Sequence, residues 1–135
     1  MGYKVNEVEG IGPSYQEKLV LVGIKTTDDF LKICCDKKGR KSVAEATGIS
    51  EKLILNWANK SDLMRVSGIG PQFSELLEAA GVDTVKELRT RNVANLTAKM
   101  AEVNAEKKLA RVAPPEAKVA GWVEQAKGMT PTITH

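Results

Sequence analysis

The chain has 135 residues, a length that suits one compact domain or two small ones that share a core. Hydrophobic residues make up 42% of it and aromatic residues only 4%. The apolar positions are therefore mostly Leu, Val, Ile and Ala, which favours packed helices over a β-sandwich or barrel. A formal net charge of +3 permits a polyanionic partner without requiring one.

The terminal segments of the chain and its two cysteines argue against several other classes of protein. The first ten residues, MGYKVNEVEG, are polar, and no apolar run reaches the roughly 20 residues that cross a bilayer. We therefore expect a cytoplasmic protein with no membrane partner. Cys34 and Cys35 are adjacent, a spacing that strains a disulfide, so we expect buried or half-buried thiols in a reducing compartment. The only histidine, His135, ends a tail, 129–135, that we expect to be disordered.

The first predicted element is a glycine turn that occurs twice. VEGIGPSYQEKLVLVGI begins at Val8, and VSGIGPQFSELLEAAGV begins 58 positions later at Val66. The tryptophans Trp57 and Trp122 are 65 positions apart, so the second copy carries about seven extra residues. This pattern indicates a duplication with one insertion. We predict a first repeat over 1–63 and a second over 64–128, together forming one compact unit.

Each copy predicts the same series of helices. Proline suits the first turn after each glycine turn, because its missing N–H would have no intrahelical partner. That helix runs to about Val22 or Ala80, where the next glycine closes it. A short helix follows in each copy, capped by Thr26 or Thr27 in the first and by Asp83 or Thr84 in the second. The remaining predicted helices are RKSVAEAT, SEKLILNWANK, VANLTAKMAEVNAEKKLA and PEAKVAGWVEQAK, and no strand is predicted, so the expected fold is all-α.

The stretch VEGIGPSYQEKLVLVGIKTTDDF resembles the helix-hairpin-helix module, and the second glycine turn repeats its pattern. In the tandem form, this resemblance implies two units related by a pseudo-twofold axis, a SAM-like helical architecture. From about Tyr3 to Lys127 the chain also resembles a small bacterial family of uncharacterised function built on that tandem. GRKSVAEATGIS, NKSDLMRVSGIG, EAAGVDTVKELRTRN and WVEQAK carry the closer resemblance.

The resemblance implies sequence-independent binding to the DNA backbone. Glycines allow the main chain to approach a phosphate, and the amides at a helix start point at the anion with the helix dipole behind them. The candidate residues in the two hairpins and helix starts are Gly10, Ile11, Gly12, Ser14, Gly68, Ile69, Gly70 and Gln72.

Basic residues extend this candidate site. Lys18 follows the first hairpin, and the segment DKKGRK is interpreted as a loop, either simply solvated or binding phosphate beside that hairpin. Its cations are Lys37, Lys38, Arg40 and Lys41. A further set brackets the second hairpin in sequence: Arg65, Lys86, Arg89 and Arg91.

An alternative hypothesis is that the protein is a helical protein-interaction or scaffold module that does not bind nucleic acid. The glycine turns would then only reverse the chain, with Ile11 and Ile69 filling the core. DNA-binding members often have Lys or Arg after the proline, whereas this chain has Ser14 and Gln72. Acidic residues follow in both helices, and the insertion NVANLTAKMAEVNAEKKLARV offers an apolar edge. The oligomeric state is left open.

A third hypothesis is a helix-turn-helix in SVAEATGISEKLILNWANK. The spacing of a small residue, a turn glycine and two apolar residues is typical of that motif. Those positions are Ala44, Gly48, Ile54 and Trp57. The second helix would present a base-reading set poor in Arg, Asn and Gln, so sequence-specific recognition is disfavoured. We interpret both tryptophans as core residues.

Enzymatic activity is not expected from the sequence. The chain has no internal histidine, no metal-ligand cluster, no phosphate loop ending in Gly-Lys-Ser and no serine elbow. We therefore expect no catalytic residues, no metal and no cofactor.

Overall fold

The computed structural model describes residues 2–135, which form eight α-helices and, in that range, no strand beyond one isolated antiparallel bridge between Lys4 and Thr26. A 3-10 turn, Val5–Glu7, precedes the helices. The helices are α1 (Pro13–Leu21), α2 (Thr27–Cys34), α3 (Lys37–Thr47), α4 (Glu51–Leu63), α5 (Pro71–Ala79), α6 (Val85–Leu88), α7 (Val93–Lys107) and α8 (Glu116–Lys127). The prediction of an all-α protein is confirmed. Over the same residues, none of the helices is both long and apolar enough to cross a membrane.

The helix starts follow the predicted chemistry. Pro13 and Pro71 are the first residues of α1 and α5. Thr26 is the N-cap of α2, where its side chain accepts a hydrogen bond from the Asp29 amide at 3.1 Å. Thr84 caps α6 in the same way. Two candidates were predicted for each cap, Thr26 or Thr27 in the first copy and Asp83 or Thr84 in the second. The N-caps in the structure are Thr26 and Thr84.

The buried apolar side chains divide into two clusters, one largely from each half of the chain. Trp57 is 1% exposed and belongs to the first cluster, while Trp122 is 2% exposed and belongs to the second. The interpretation of both tryptophans as core residues is confirmed. Helix α4 serves both clusters, because Trp57 packs in the first and Leu63 in the second. The two cores are therefore built on a common helix.

The basic segment DKKGRK is not a loop, and its prediction as one was wrong. Asp36 is the N-cap of α3, and its side chain accepts a hydrogen bond from the Gly39 amide at 2.7 Å, so the lysines fall in the first turns of that helix. Arg40 lies on the inner face and is only 4% exposed. Its guanidinium donates to the carbonyl oxygens of Cys34 at 3.0 Å and Thr134 at 2.6 Å.

The tail 129–135 is ordered, which corrects the prediction of disorder. Ile133 is 7% exposed and packs in the first core cluster. The Thr134 amide donates to the Cys35 carbonyl at 2.8 Å, and Arg40 binds the Thr134 carbonyl. Burial of one isoleucine and pairing of the adjacent backbone hold the segment, so the C-terminal end of the chain docks on the N-terminal half.

The two cysteines have different environments, as expected for one buried and one half-buried thiol. Cys34 is fully buried, and this burial raises the pKa of its thiol to about 12. Cys35 is half-buried, and both thiols are free.

We expect an aromatic disulfide reagent at neutral pH to modify Cys35 in the native protein and to leave Cys34 unreacted, because only a thiolate attacks the reagent. Absorbance of the released thiol should report one group per chain before unfolding and two after. Cys35→Ala should abolish the native reaction, and Cys34→Ala should leave it unchanged. Rapid native labelling of Cys34 would contradict the burial described above.

Candidate nucleic-acid interface

The two glycine hairpins have the same local backbone geometry. Gly10 and Gly68 have φ values of 99° and 95°, a left-handed region that favours glycine. The Ile11 amide donates to the Val8 carbonyl at 3.1 Å, and the Ile69 amide repeats this bond to Val66 at 3.1 Å. The duplication read from the sequence is therefore matched by two turns of one shape.

A tryptophan lies directly behind each hairpin. A Cβ atom added at Gly10 would lie 3.0 Å from Nε1 of Trp57, and one at Gly68 would lie 3.0 Å from Nε1 of Trp122. Tyr15 packs edge-on against Trp57 with ring centroids 5.0 Å apart, and Phe73 lies at 5.2 Å from Trp122. Each glycine thus has a backbone conformation that favours glycine, and an indole lies close to where a side chain would begin.

The same two helices, α4 and α8, also hold the hairpins by a polar side chain three residues after the tryptophan. Nζ of Lys60 donates to the Glu9 carbonyl at 3.2 Å, and Oε1 of Gln125 accepts from the Ser67 amide at 2.8 Å. Lys60 is only 6% exposed, so its charge is committed to this contact. Both hairpins are positioned by their own tryptophan-bearing helix.

The amides of the hairpins fall into two groups. Those of Ile11 and Ile69 are used in the internal bonds described above, and their side chains are 4% and 0% exposed. These two predicted site residues therefore serve the core.

The second group of amides is open. Within residues 2–135 no acceptor is found for the amides of the glycines and of the residues that follow the prolines, namely Gly10, Gly12, Ser14, Gly68, Gly70 and Gln72. The N-terminal ends of α1 and α5 carry partial positive charge at these positions. The arrangement offers two small sites for an anionic oxygen.

The basic residues predicted around the first hairpin lie on two different helices, and one of them is buried. Lys18 is exposed on α1, one turn beyond Ser14. Lys37, Lys38 and Lys41 are exposed on α3, which packs against α2 and α4. Lys37 lines a depression that contains no residue of the first hairpin. Arg40 is buried, and Lys18 is the predicted cation that lies on the helix started by this hairpin.

The second hairpin has basic neighbours that were not predicted from the sequence. A depression of about 570 Å³ joins Gln72 to the segment that follows α7, with Lys108 and Arg111 in its lining. The Arg111 amide donates to Oε1 of Gln72 at 3.4 Å. Lys118 of α8 places its Nζ 5.6 Å from the centre of the Phe73 ring. Three basic residues thus lie near the first turn of α5.

These cations are 36 to 46 positions away from Gln72 in the chain, so a search for basic runs near the hairpin does not find them. Lys108 adopts a left-handed conformation, φ 52°, that ends α7 and turns the chain toward α5. The only sequence signal was the basic end of the insertion, in the string EKKLAR.

An acidic residue also lies close to the second hairpin. A depression of about 540 Å³ on its other side includes Glu9, Gly70 and Gln72, with the Tyr3 hydroxyl 3.7 Å from the position of a Cβ at Gly70. The electrostatics of the two sides therefore differ, and an anion is favoured on the side of Lys108 and Arg111.

Two of the four basic residues predicted near this hairpin are already paired. Arg65 forms an ion pair with Asp62 at 2.7 Å, and Arg91 forms one with Glu87. Arg65 also donates to the Thr130 carbonyl at 3.0 Å. Both arginines hold the fold together.

The turn between α3 and α4 has the spacing typical of a helix-turn-helix, and the apolar residues that tie its second helix to the first are buried. Gly48 has φ 76° and ends α3, while Ile54 and Trp57 are buried. Asn56, one of the few base-reading types on α4, donates its amide to Oε1 of Glu78 at 2.7 Å. The spacing reflects the packing of two helices.

The fold and hairpins together define an all-helical protein with a duplicated glycine turn in front of a helix. Residues 9–129 match the family model described as "Domain of unknown function (DUF4332)", and the chain belongs to that family. The match includes both hairpins and all eight helices. No curated protein and no solved structure matches the chain.

Proposed function

We propose that this protein is a non-enzymatic tandem helix-hairpin-helix domain that binds the DNA backbone without sequence preference. The observation that carries the proposal is the matched pair of hairpins, each with open amides at the start of a nine-residue helix. Backbone amides at a helix N-terminus bind phosphate oxygens through hydrogen bonds and through the helix dipole. Two such sites on one chain suit a polymer of phosphates better than a single small anion.

In this proposal the second hairpin contributes more of the affinity than the first. Lys108 and Arg111 line a depression together with Gln72, and Lys118 lies over the Phe73 ring of α5, whereas Lys18 follows the first hairpin on α1. A phosphate bound at the amides of α5 would be neutralised by these side chains. Base contacts are not part of the proposal, because the hairpins expose main chain and small side chains, which carry little sequence information.

Titration of duplex DNA at increasing salt concentration tests the function. Roughly four neutralised phosphates predict a slope of about −4 for the logarithm of the association constant against the logarithm of salt concentration. Fluorescence anisotropy of two labelled duplexes of unrelated sequence should give the same affinity. Undetectable binding at low salt, or strong preference for one duplex, would reject the proposal.

The double variant Lys108→Ala/Arg111→Ala is expected to reduce the magnitude of that slope by about 2 and to weaken binding at low salt by at least tenfold. The physical reason is the loss of two counterion-releasing contacts beside Gln72. Lys32→Ala/Lys99→Ala is the matched control, since it removes the same charge from exposed positions that line no depression next to a hairpin. Equal losses in the two variants would assign binding to net charge alone.

Protein interaction is the second candidate function, and one observation favours it. Leu21 is 82% exposed at the end of α1, next to Val20, which is 38% exposed. At the equivalent place in α5, Ala79 packs against the second core cluster. Sedimentation velocity at several concentrations, with Leu21→Ser as the comparison, tests for association through this end of α1. A monomer at every concentration would leave no support for self-association there.

A further inference from the structure

Residues 129–135 form an irregular segment that leaves α8 and packs on the first half of the chain. Ile133 is 7% exposed and belongs to the first core cluster. The Thr134 amide donates to the Cys35 carbonyl at 2.8 Å, and the Thr134 carbonyl accepts from the Arg40 guanidinium at 2.6 Å. The surface beside Arg40 therefore holds a peptide segment by one aliphatic side chain and by the main chain of the residue that follows it.

Few contacts hold this segment in place. Among residues 2–135, the amides of Thr130, Thr132 and Ile133 have no hydrogen-bond acceptor. The Thr130 carbonyl accepts from Arg65 at 3.0 Å, in an exposed contact. Segments with one buried side chain and few backbone hydrogen bonds open more readily than the helices that they cover.

The surface under the segment needs an occupant. Arg40 is only 4% exposed, and its guanidinium donates to the carbonyl oxygens of Cys34 and Thr134. Departure of the segment removes the second of these acceptors. A buried donor without a partner is costly, so the site favours a peptide that places a carbonyl oxygen at the position of the Thr134 carbonyl.

The far end of the segment reaches a basic depression of about 340 Å³ between α3 and α4. Three cations line it, namely Lys37, Arg40 and Lys52, against one carboxylate side chain, that of Glu51. None of the three cations forms an ion pair with residues 2–135. The chain's own residue in this depression is His135, whose imidazole supplies no negative charge. An acidic side chain at that position would complement the depression better.

We propose that this surface docks a peptide segment of a partner protein in which an aliphatic residue is followed by any residue and then by Asp or Glu. The aliphatic side chain takes the place of Ile133, and the main chain of the next residue binds Arg40 and Cys35. The acidic side chain lies among the cations of the depression. Residues 129–135 occupy the surface when the partner is absent, and their tethering gives them a high effective concentration. The acidic residue supplies the additional attraction that the partner needs to replace them. No hairpin residue takes part, so this proposal is independent of DNA binding.

Two fluorescent peptides test the site, both acetylated and amidated at their ends. One has the sequence of residues 128–135, GMTPTITH, and the other carries His135→Glu. The full chain with Ile133→Asp should bind both, because its own segment no longer docks, and the His135→Glu peptide should bind about threefold more tightly. The unaltered chain should bind both at least tenfold more weakly, because its own segment competes. Fluorescence anisotropy measures these affinities. Absence of saturable binding to a natively folded Ile133→Asp chain, or equal affinity for the two peptides, would overturn the proposal.

Lysine variants of the Ile133→Asp chain test the origin of that difference. Lys37→Ala/Lys52→Ala should abolish the advantage of the His135→Glu peptide and change the affinity for the other peptide less than twofold. Lys38→Ala/Lys41→Ala is the matched control, since both lysines are exposed on α3 and neither lines the depression. The advantage should persist in this control. Its loss in both double variants, or in neither, would show that the acidic side chain does not bind in the depression and would contradict the assignment.

Hydrogen exchange of the unaltered chain gives a test that does not depend on the folding of Ile133→Asp. The hydrogen-bonded Thr134 amide should exchange at least tenfold faster than the Trp57 amide in the middle of α4, because the segment opens without global unfolding. NMR measures both rates in one sample. Exchange of Thr134 as slow as that of Trp57 would show that the segment is a fixed part of the core, and the docking proposal would then be wrong.

Discussion

Replacing Trp122 with alanine is expected to lower the free energy of unfolding by about 3–5 kcal/mol. The side chain is 2% exposed, packs against Phe73 and closes the space behind Gly68. Its removal leaves a cavity in the second core cluster and also takes away the support of the second hairpin. Urea unfolding followed by far-ultraviolet circular dichroism measures the loss, since the helices report unfolding without the indole.

Two further variants test whether the loss of stability comes from the packing of the indole. Trp57→Ala removes the corresponding support in the first half and should cost a similar amount, because the contacts to Tyr15 and Gly10 match those of Trp122. Trp122→Phe retains an aromatic ring in the cluster and should cost less than Trp122→Ala. We expect one cooperative transition for all three variants, because α4 contributes to both cores. A loss below about 1 kcal/mol in Trp122→Ala would contradict the described packing.

The sequence was sufficient for the features that depend on local backbone chemistry. Glycine, isoleucine, glycine and proline in series predict a turn followed by a helix, and α1 and α5 begin at the predicted prolines. The threonine caps and the burial of Trp57 and Trp122 could be predicted from the sequence for the same reason. Each of these properties is decided within a few residues of the chain or by the size of one apolar side chain.

The sequence was insufficient where a side chain has a distant partner. The charges of DKKGRK are typical of a solvated segment, yet Asp36 caps a helix there. Arg40 donates hydrogen bonds to the carbonyl oxygens of Cys34 and of Thr134, and Thr134 is 94 positions away in the chain. The tail 129–135 is polar, and burial of Ile133 together with hydrogen bonds at Thr130 and Thr134 gives it order.

The same limit affects the candidate site. From the sequence, Lys18 and the cations of DKKGRK were candidates for binding phosphate beside the first hairpin. In the fold Lys18 lies on α1 and the lysines of DKKGRK lie on α3, while Lys108 and Arg111 at the end of the insertion line a depression with Gln72. Charge near a site in space is set by how helices pack, and a helix of 15 residues displaces its end by about 22 Å.

Asp62→Ala is expected to lower the free energy of unfolding by about 3 kcal/mol. Asp62 is 1% exposed, and its two carboxylate oxygens are both used. Oδ1 accepts from Arg65 at 2.7 Å, and Oδ2 accepts from the Val85 amide at 2.8 Å at the start of α6. The alanine variant leaves the buried amide without an acceptor, and a buried donor without a partner costs more than the hydrogen bond contributes. Thermal and urea unfolding measure the change.

A double-mutant cycle with Arg65 separates the ion pair from the backbone contact. Arg65→Ala should cost less than Asp62→Ala if the Val85 amide dominates, since that amide keeps its acceptor. The double variant should then cost only slightly more than Asp62→Ala alone, because the ion pair is already lost there and the exposed bond from Arg65 to the Thr130 carbonyl is the remaining contact removed. Asp62→Asn keeps one acceptor for Val85 but turns an N–H₂ toward Arg65, so its loss should fall between the two single alanine variants. If Arg65→Ala costs as much as Asp62→Ala, the ion pair alone carries the stabilisation, and the link from α4 to α6 through Val85 is of minor importance.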